Sequence, residues 1–319
     1  IDILSLSPET LGQYLAEMGE PKFRAKQLFS WLHQKQVTDF AQMTTLSLQL
    51  RQKLNEKFCI NRLNIARKLA SSADDTVKYL YELPDGNYVE TVCMQYHHGT
   101  SLCISTQVGC RMGCRFCASA IAGFVRNLTP AEMLLQIYET ERAQNCKISS
   151  LVLMGIGEPL DNFDNVLRFL QLLSDPNGYG MSLRHVTVST CGVVPKILEL
   201  AEQRLGLTLS VSLHCPNDAG RSAIMPINRS YPIDVLLDAC QTYFEKTGRR
   251  VTLEYAVMDQ VNSAEQDAAA LAERLKGLHA HVNLIPINPV KERNFHTLKE
   301  TVLQFQKTLE RYGIPVTIR

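Results

Sequence analysis

From residue 102 onward, β-branched apolar runs and helical runs alternate regularly. Strand-like segments begin near 102, 151, 185, 207, 250 and 281, and helix-like stretches cover 130–144, 162–173, 193–203, 232–247, 263–276 and 297–312. A strand–helix–strand series brings each strand back parallel to the last, so six such units predict a parallel sheet curled toward a barrel. Local signals agree with the pattern. Thr129-Pro130-x-Glu132 reads as a capping start, and Pro232 opens another helix. Val316-Thr317-Ile318 is expected to add an edge strand.

The first hundred residues read differently. Ser7-Pro8-Glu9 starts a helix, with Leu11, Tyr14, Leu15 and Met18 at helical spacing and Gly19 ending it. Phe23, Gln27, Leu28, Trp31 and Leu32 form a second stripe, and Leu46, Leu50, Leu54 and Phe58 a third. From about residue 61 the period changes to two. Val77–Leu83 alternates, Pro84-Asp85-Gly86-Asn87 turns, and Tyr88–Tyr96 returns as a strand. The reading is therefore an α/β chain: a helical module over 1–60, a β-hairpin extension over 61–100, and a partial (βα)6 barrel over 101–319.

In such barrels, chemistry sits at the C-terminal ends of the strands. The polar and glycine-rich residues at those ends are Cys110, Cys114 and Cys117 after the first strand and Gly155-Ile156-Gly157-Glu158-Pro159 after the second. Ser189-Thr190-Cys191, Ser212-Leu213-His214 and Pro286-Ile287-Asn288-Pro289 follow the third, fourth and sixth. If these strands stand as read, all five groups meet at one mouth. Each has a plainer reading alone. Gly-Glu-Pro recurs at 19–21, where it suits a surface turn, and a single histidine is more often structural. Behind an apolar strand, however, glycines let backbone amides approach a ligand, and Glu158 suits the ammonium of an amino acid. Ser189 and Asn288 fit hydroxyl or amide recognition of a ribose or adenine.

Three cysteines at CxxxCxxC spacing on one short loop can turn their sulfurs toward one centre, as iron–sulfur clusters require. A structural zinc cage needs a fourth ligand, and none follows in the next turn. The ten cysteines are irregularly spaced, which argues against a disulfide scaffold and for a reducing cytoplasm. No apolar run approaches the ~18–20 residues of a membrane span. The net charge is only +1, but residues 1–70 hold ten Lys/Arg against six Asp/Glu. That basic module, with Lys22, Arg24 and Lys26 on its second helix, hints at a phosphate-backbone partner. A solvated helix face explains the count equally well.

The motifs together resemble a known family. Cys103-Ile-Ser-Thr-Gln-Val-Gly-Cys110-x-x-x-Cys114-x-Phe-Cys117, Met154-Gly-Ile-Gly-Glu158-Pro159, Ser212-Leu-His214-x-Pro-Asn217, Met225-Pro-Ile-Asn228 and Asn283-Leu-Ile-Pro-x-Asn288-Pro look like the radical S-adenosylmethionine (SAM) enzymes that methylate C2 of an adenosine in 23S ribosomal RNA, whose members also modify transfer RNA. The resemblance spans essentially the whole chain. It implies the radical SAM type of partial barrel. Cys110, Cys114 and Cys117 would ligate a [4Fe–4S] cluster with one iron open to SAM. Gly157, Glu158, Ser189, Ser212, Leu213, His214 and Asn288 would contact SAM. Glu90 would accept a proton near the target base, and Cys103 would be the thiol that resolves a covalent intermediate. Glu90 and Cys103 are rivals for the base, with Glu90 favoured.

The implied chemistry consumes two SAM per turnover. One methylates an enzyme cysteine, and the other yields a radical that activates the methylthio group for addition to C2. A reductase or flavodoxin-like donor would supply electrons to a cytoplasmic monomer with no membrane association. Two alternatives stand beside this reading: a resistance enzyme of the same family that methylates C8, and a non-catalytic, zinc-stabilised RNA-binding factor. In the family, the methyl-carrying cysteine lies in a tail beyond the last strand. The sequence ends at Arg319 without that segment, so a chain ending there is expected to bind cluster and SAM without completing methyl transfer.

Overall fold

A computed structural model describes all 319 residues. In chain order the elements are α1 (Pro8–Glu17), α2 (Phe23–His33), α3 (Leu48–Lys57), β1 (Asn64–Ala70), β2 (Val77–Glu82), β3 (Tyr88–Tyr96), β4 (Gly99–Cys103), β5 (Gln107–Gly109) and β6 (Phe124–Asn127). There follow α4 (Pro130–Gln144), β7 (Ile148–Leu153), α5 (Phe163–Ser174), β8 (Val186–Thr190), α6 (Val194–Gln203), β9 (Thr208–Ser212) and α7 (Asp218–Ile224). The last are α8 (Ile233–Thr247), β10 (Val251–Val257), α9 (Glu265–Arg274), β11 (Ala280–Pro286), α10 (Lys299–Arg311) and β12 (Val316–Ile318). The chain divides into two compact units. One comprises residues 1–108, 127–156 and 162–185, and the other 109–126, 157–161 and 186–319.

In the first unit the N-terminal helices form for the reasons the sequence offers. The Ser7 hydroxyl accepts from the Thr10 amide and caps α1, and Ser47 caps α3 in the same way. Leu11 and Leu15 of α1, Leu28 and Leu32 of α2, and Leu46, Leu50, Leu54 and Phe58 around α3 are buried. Phe23 departs from the expected stripe and is 63% exposed, because it opens α2 ahead of the buried face. β1 through β4 are successive antiparallel neighbours, and β4 then runs parallel to β7. α4 begins with a reciprocal capping box, the Glu132 carboxylate accepting from the Thr129 amide and the Thr129 hydroxyl from the Glu132 amide.

The hairpin lays one face on α4. Tyr81 Oη pairs with the Thr140 hydroxyl at 2.8 Å, Thr91 donates to Gln136 at 2.8 Å, and Gln144 donates to Tyr79 Oη at 2.6 Å. Strand side chains alternate. Glu90 therefore falls on the opposite face, together with Val92 and with Cys103, the cross-strand partner of Val92.

The second unit holds five parallel strands in the order β8-β9-β10-β11-β12. Leu209, Val211, Leu253, Val282 and Leu284 are fully or almost fully buried. α6, α8, α9 and α10 each have an apolar face in this core: Ile197 and Leu200, Leu236 and Tyr243, Leu271, and Phe305 and Leu309. The strand and helix bounds lie within a few residues of those expected. α7 was not anticipated, because its seven residues are too few to show a helical period.

Candidate active site

Cys110, Cys114 and Cys117 lie on one irregular loop of the second unit. Gly109 makes its start possible. At φ +71° it sits so close to Gly123 that a Cβ would stand 1.8 Å from the Gly123 carbonyl oxygen. The close approach lets Cys110 N–H donate to that oxygen at 2.9 Å. Cys117 N–H donates to the Cys114 carbonyl, and Arg115 N–H donates to the carbonyl of Ile224 at the end of α7. Arg111 steadies the loop by pairing with Asp161 at 2.9 Å and lying over the Phe124 ring.

The three thiols are partly exposed and none is in a disulfide. Burial is the main force raising the proton affinity of two of them, pushing Cys110 to about 11 and Cys114 to about 12. The charges of Glu158 and Cys117 raise Cys110 further, and those of Cys117 and Cys110 raise Cys114, so the three sulfurs share one electrostatic neighbourhood. Three cysteine thiols on one loop, in one electrostatic neighbourhood, are the donor set that a cluster with one open iron would take.

Glu158 is buried, and its carboxylate direction is fixed by the backbone. Oε2 accepts from Cys191 N–H at 2.7 Å and Oε1 from Leu160 N–H at 3.0 Å. Burial raises its pKa above the ordinary carboxylate range, and these amide bonds hold the rise back. Gly157 before it adopts φ +108°, a conformation that suits glycine. The Glu158 bond to Cys191 N–H ties the loop to the end of β8, where Ser189 is half-buried.

Ser212 ends β9, and Leu213 and His214 follow it. His214 has φ +58°, unusual for a residue with a side chain. Its Nδ1 accepts from Ala256 N–H at 2.9 Å, and its carbonyl accepts from Asn262 Nδ2 at 2.6 Å. Burial first, and then the Arg221 charge, lower its pKa to about 3, so the ring is neutral at physiological pH. Phe116, from the cysteine loop, meets that ring edge-on with centroids 4.9 Å apart. Asn288 is exposed beyond β11. Its neighbour Ile287 packs with Met112, Cys114 and Phe116 against a buried cluster that includes Cys191, Cys215, Met225 and Met258. The cysteine loop, the Glu158 turn and the ends of β8, β9 and β11 are thus close together within this unit.

Glu90 and Cys103 lie in the other unit, on the face of the hairpin turned away from α4. Lys78 Nζ pairs with Glu90 at 2.7 Å, and both side chains are about two-fifths exposed. Ser105 Oγ donates to the Glu90 carbonyl at 2.6 Å. Sequence reasoning passed over Lys78, which only the β2–β3 register places beside Glu90. It also missed Asn262, which donates to two carbonyls and accepts from Met258 N–H, because a lone loop asparagine carries no periodic signal.

The "Probable dual-specificity RNA methyltransferase RlmN" of Lachnospira eligens is 50% identical over all of this chain and 91% of its own length. The chain belongs to the RlmN family of radical SAM RNA methyltransferases. The relative so named from Clostridium novyi is 46% identical over the whole chain and 93% of its own length. Residues 1–60 match the family model for the ribosomal RNA large subunit methyltransferase N-terminal domain, and residues 104–272 match the radical SAM superfamily. A crystal structure of a radical SAM methyltransferase from Sphaerobacter thermophilus superposes with a TM-score of 0.95 at 39% identity, covering all of this chain and 95% of that one. As an RlmN family member the chain has the radical SAM α/β fold, and a [4Fe–4S] cluster and SAM are its cofactors. No helix is long and apolar enough to cross a membrane.

Proposed function

We propose that this RlmN-family enzyme methylates C2 of an adenosine in 23S ribosomal RNA and in transfer RNA, by way of a methylated enzyme cysteine. The observation that supports it most is the grouping of three thiols, a backbone-anchored carboxylate and the Ser212–His214 strand end in one unit. Cys110, Cys114 and Cys117 would hold the cluster. Gly157, Glu158, Ser189, Ser212, Leu213, His214 and Asn288 would hold SAM, with Glu158 on its ammonium. Cluster and SAM supply one-electron chemistry, which adenine C2 needs because an electrophilic amidine carbon cannot attack a methyl sulfonium.

Glu90, steered by Lys78, accepts the C2 proton, and Cys103 resolves the link between product and the carrier cysteine. Enzymes that work on a base must unstack it first, so the target adenine is presented extruded. The irregular, thiol-rich sequence suits a cytoplasmic setting.

Nucleoside analysis of RNA from a strain lacking the gene, with the gene restored, tests this reading. 2-Methyladenosine should return, whereas 8-methyladenosine would overturn the C2 assignment. Restoring the gene with Glu90→Gln should lower 2-methyladenosine by about 10²–10⁴-fold, the range for loss of a general base. A full yield would remove Glu90 from that role.

For the RNA partner, Lys22, at the N-cap of α2, and Lys26, on α2, are exposed cations, whereas Arg24 is engaged with Gln27 and Glu20. Replacing both lysines by glutamate should weaken RNA binding and flatten its dependence on log salt by about one unit for each phosphate no longer neutralised, leaving SAM cleavage intact. Filter binding across a salt series measures this, and an unchanged slope would take α2 out of the interface.

A further inference from the structure

Arg221 is the largest fully buried side chain in the molecule. The four oxygens it donates to all belong to neutral groups. Nε donates to the Leu213 carbonyl at 3.1 Å, Nη2 to the carbonyls of Cys191 at 2.7 Å and Ser212 at 3.0 Å, and Nη1 to Asn228 Oδ1 at 2.9 Å. Taking a guanidinium out of water is costly, and an apolar residue of similar volume often serves stability as well or better. What only arginine offers here is a rigid fork that grips several carbonyls at once. Those carbonyls lie just past β8 and at the end of β9.

The helix that carries Arg221 is also joined to the cysteine loop. The carbonyl of Ile224, the last residue of α7, accepts from Arg115 N–H at 2.9 Å. The Ala223 carbonyl accepts from Arg115 Nη1. Cys114 packs against the cluster that contains Ile224, Met225 and Cys191. One short helix therefore connects the loop meant for the metal to both strand ends meant for SAM. Asn228 holds the guanidinium in place and is itself anchored, donating to the Asp218 carboxylate at 2.9 Å and to Ser222 Oγ at 2.8 Å.

We propose that Arg221 is a positioning residue for the radical reaction: through α7 it fixes the carbonyl ends of β8 and β9, and with them Ser212, Leu213 and His214, relative to the cysteine loop, so that SAM is seated in register with the cluster. This rests on the cofactor assignment proposed above for these residues.

The test compares wild type with Arg221→Lys, Arg221→Met and Asn228→Ala in the full-length enzyme. Iron content, melting temperature, SAM affinity from the SAM-dependent change in the cluster's EPR spectrum, and amide exchange at Arg115 and Cys191 in the metal-free protein are measured. Arg221→Lys keeps the charge and loses the fork. It should retain iron, bind SAM about tenfold more weakly, and speed exchange at Arg115 and Cys191 by about tenfold. Arg221→Met should do the same or worse, and Asn228→Ala should move both readouts in the same direction by less. A merely structural role predicts a lower melting temperature with SAM affinity unchanged in whatever fraction remains folded, and that result would overturn the proposal. Should the Arg221 variants fail to fold, Asn228→Ala decides: unchanged SAM affinity and unchanged exchange at Arg115 refute it. If wild type takes no cluster, the cofactor assignment fails instead, and the exchange data on the metal-free protein still report whether Arg221 couples loop and strands.

Discussion

Cys114→Ala, reconstituted anaerobically with iron and sulfide, is expected to yield protein that folds normally, holds no SAM-responsive cluster, and forms 5′-deoxyadenosine at background rates, a loss of about 10³-fold or more. Two of three protein ligands cannot hold a cubane in place, and outer groups cannot replace a first ligand. The fold should survive because Cys114 is partly exposed, forms no disulfide, and contributes its sulfur to an apolar cluster that an alanine methyl can still join. Removing so small a partly buried group costs on the order of 1 kcal/mol. Iron analysis, circular dichroism and deoxyadenosine measurement separate the two effects. Residual SAM cleavage near the wild-type rate would mean that the loop is not the cluster site.

Glu158→Gln is expected to have the second largest effect. The carboxylate accepts two backbone N–H bonds, from Cys191 and Leu160. A glutamine amide offers one acceptor oxygen and turns an NH2 toward the other amide, leaving a buried donor facing a donor. Such a mismatch costs about 1–3 kcal/mol of stability. On the proposed placement of the SAM ammonium beside Glu158, losing the charge should weaken SAM binding by about 10²-fold, near 2.7 kcal/mol.

The pH dependence has a definite sign. Burial raises the Glu158 pKa above its ordinary 4.5, so the metal-free fold gains from this carboxyl below pH 4.5 and loses that gain as pH rises through the folded value. SAM affinity runs the other way: it needs the ionised form and should fall on acidification before pH 4.5 is reached. Calorimetric titration of wild type and Glu158→Gln across this range checks both. A variant that binds SAM as tightly as wild type would remove Glu158 from the ammonium site.

Much of the framework was legible because it rests on local, repetitive chemistry. The capping box at Thr129–Glu132, the turn at 84–87 and the β-branched runs each declare themselves within a few residues, and the strands and helices appear where those signals put them. The cysteine loop and the glycine–glutamate turn were legible as spacings. What did not show were the residues that act across sequence distance. Arg221 reads as one more charge on a short segment, yet it is buried against carbonyls contributed by residues 191, 212 and 213. Lys78 looks like an alternating strand residue until the hairpin register sets it beside Glu90. Phe23 looked like core and is exposed, because periodicity marks a helix's stripe better than where the stripe begins.

The most direct single measurement is the EPR spectrum of the anaerobically reconstituted, dithionite-reduced protein before and after SAM is added. A [4Fe–4S] signal that changes shape with SAM, in protein whose iron is lost with any one of Cys110, Cys114 or Cys117, is the predicted result. A colourless protein carrying one zinc, or a cluster signal indifferent to SAM, would contradict it.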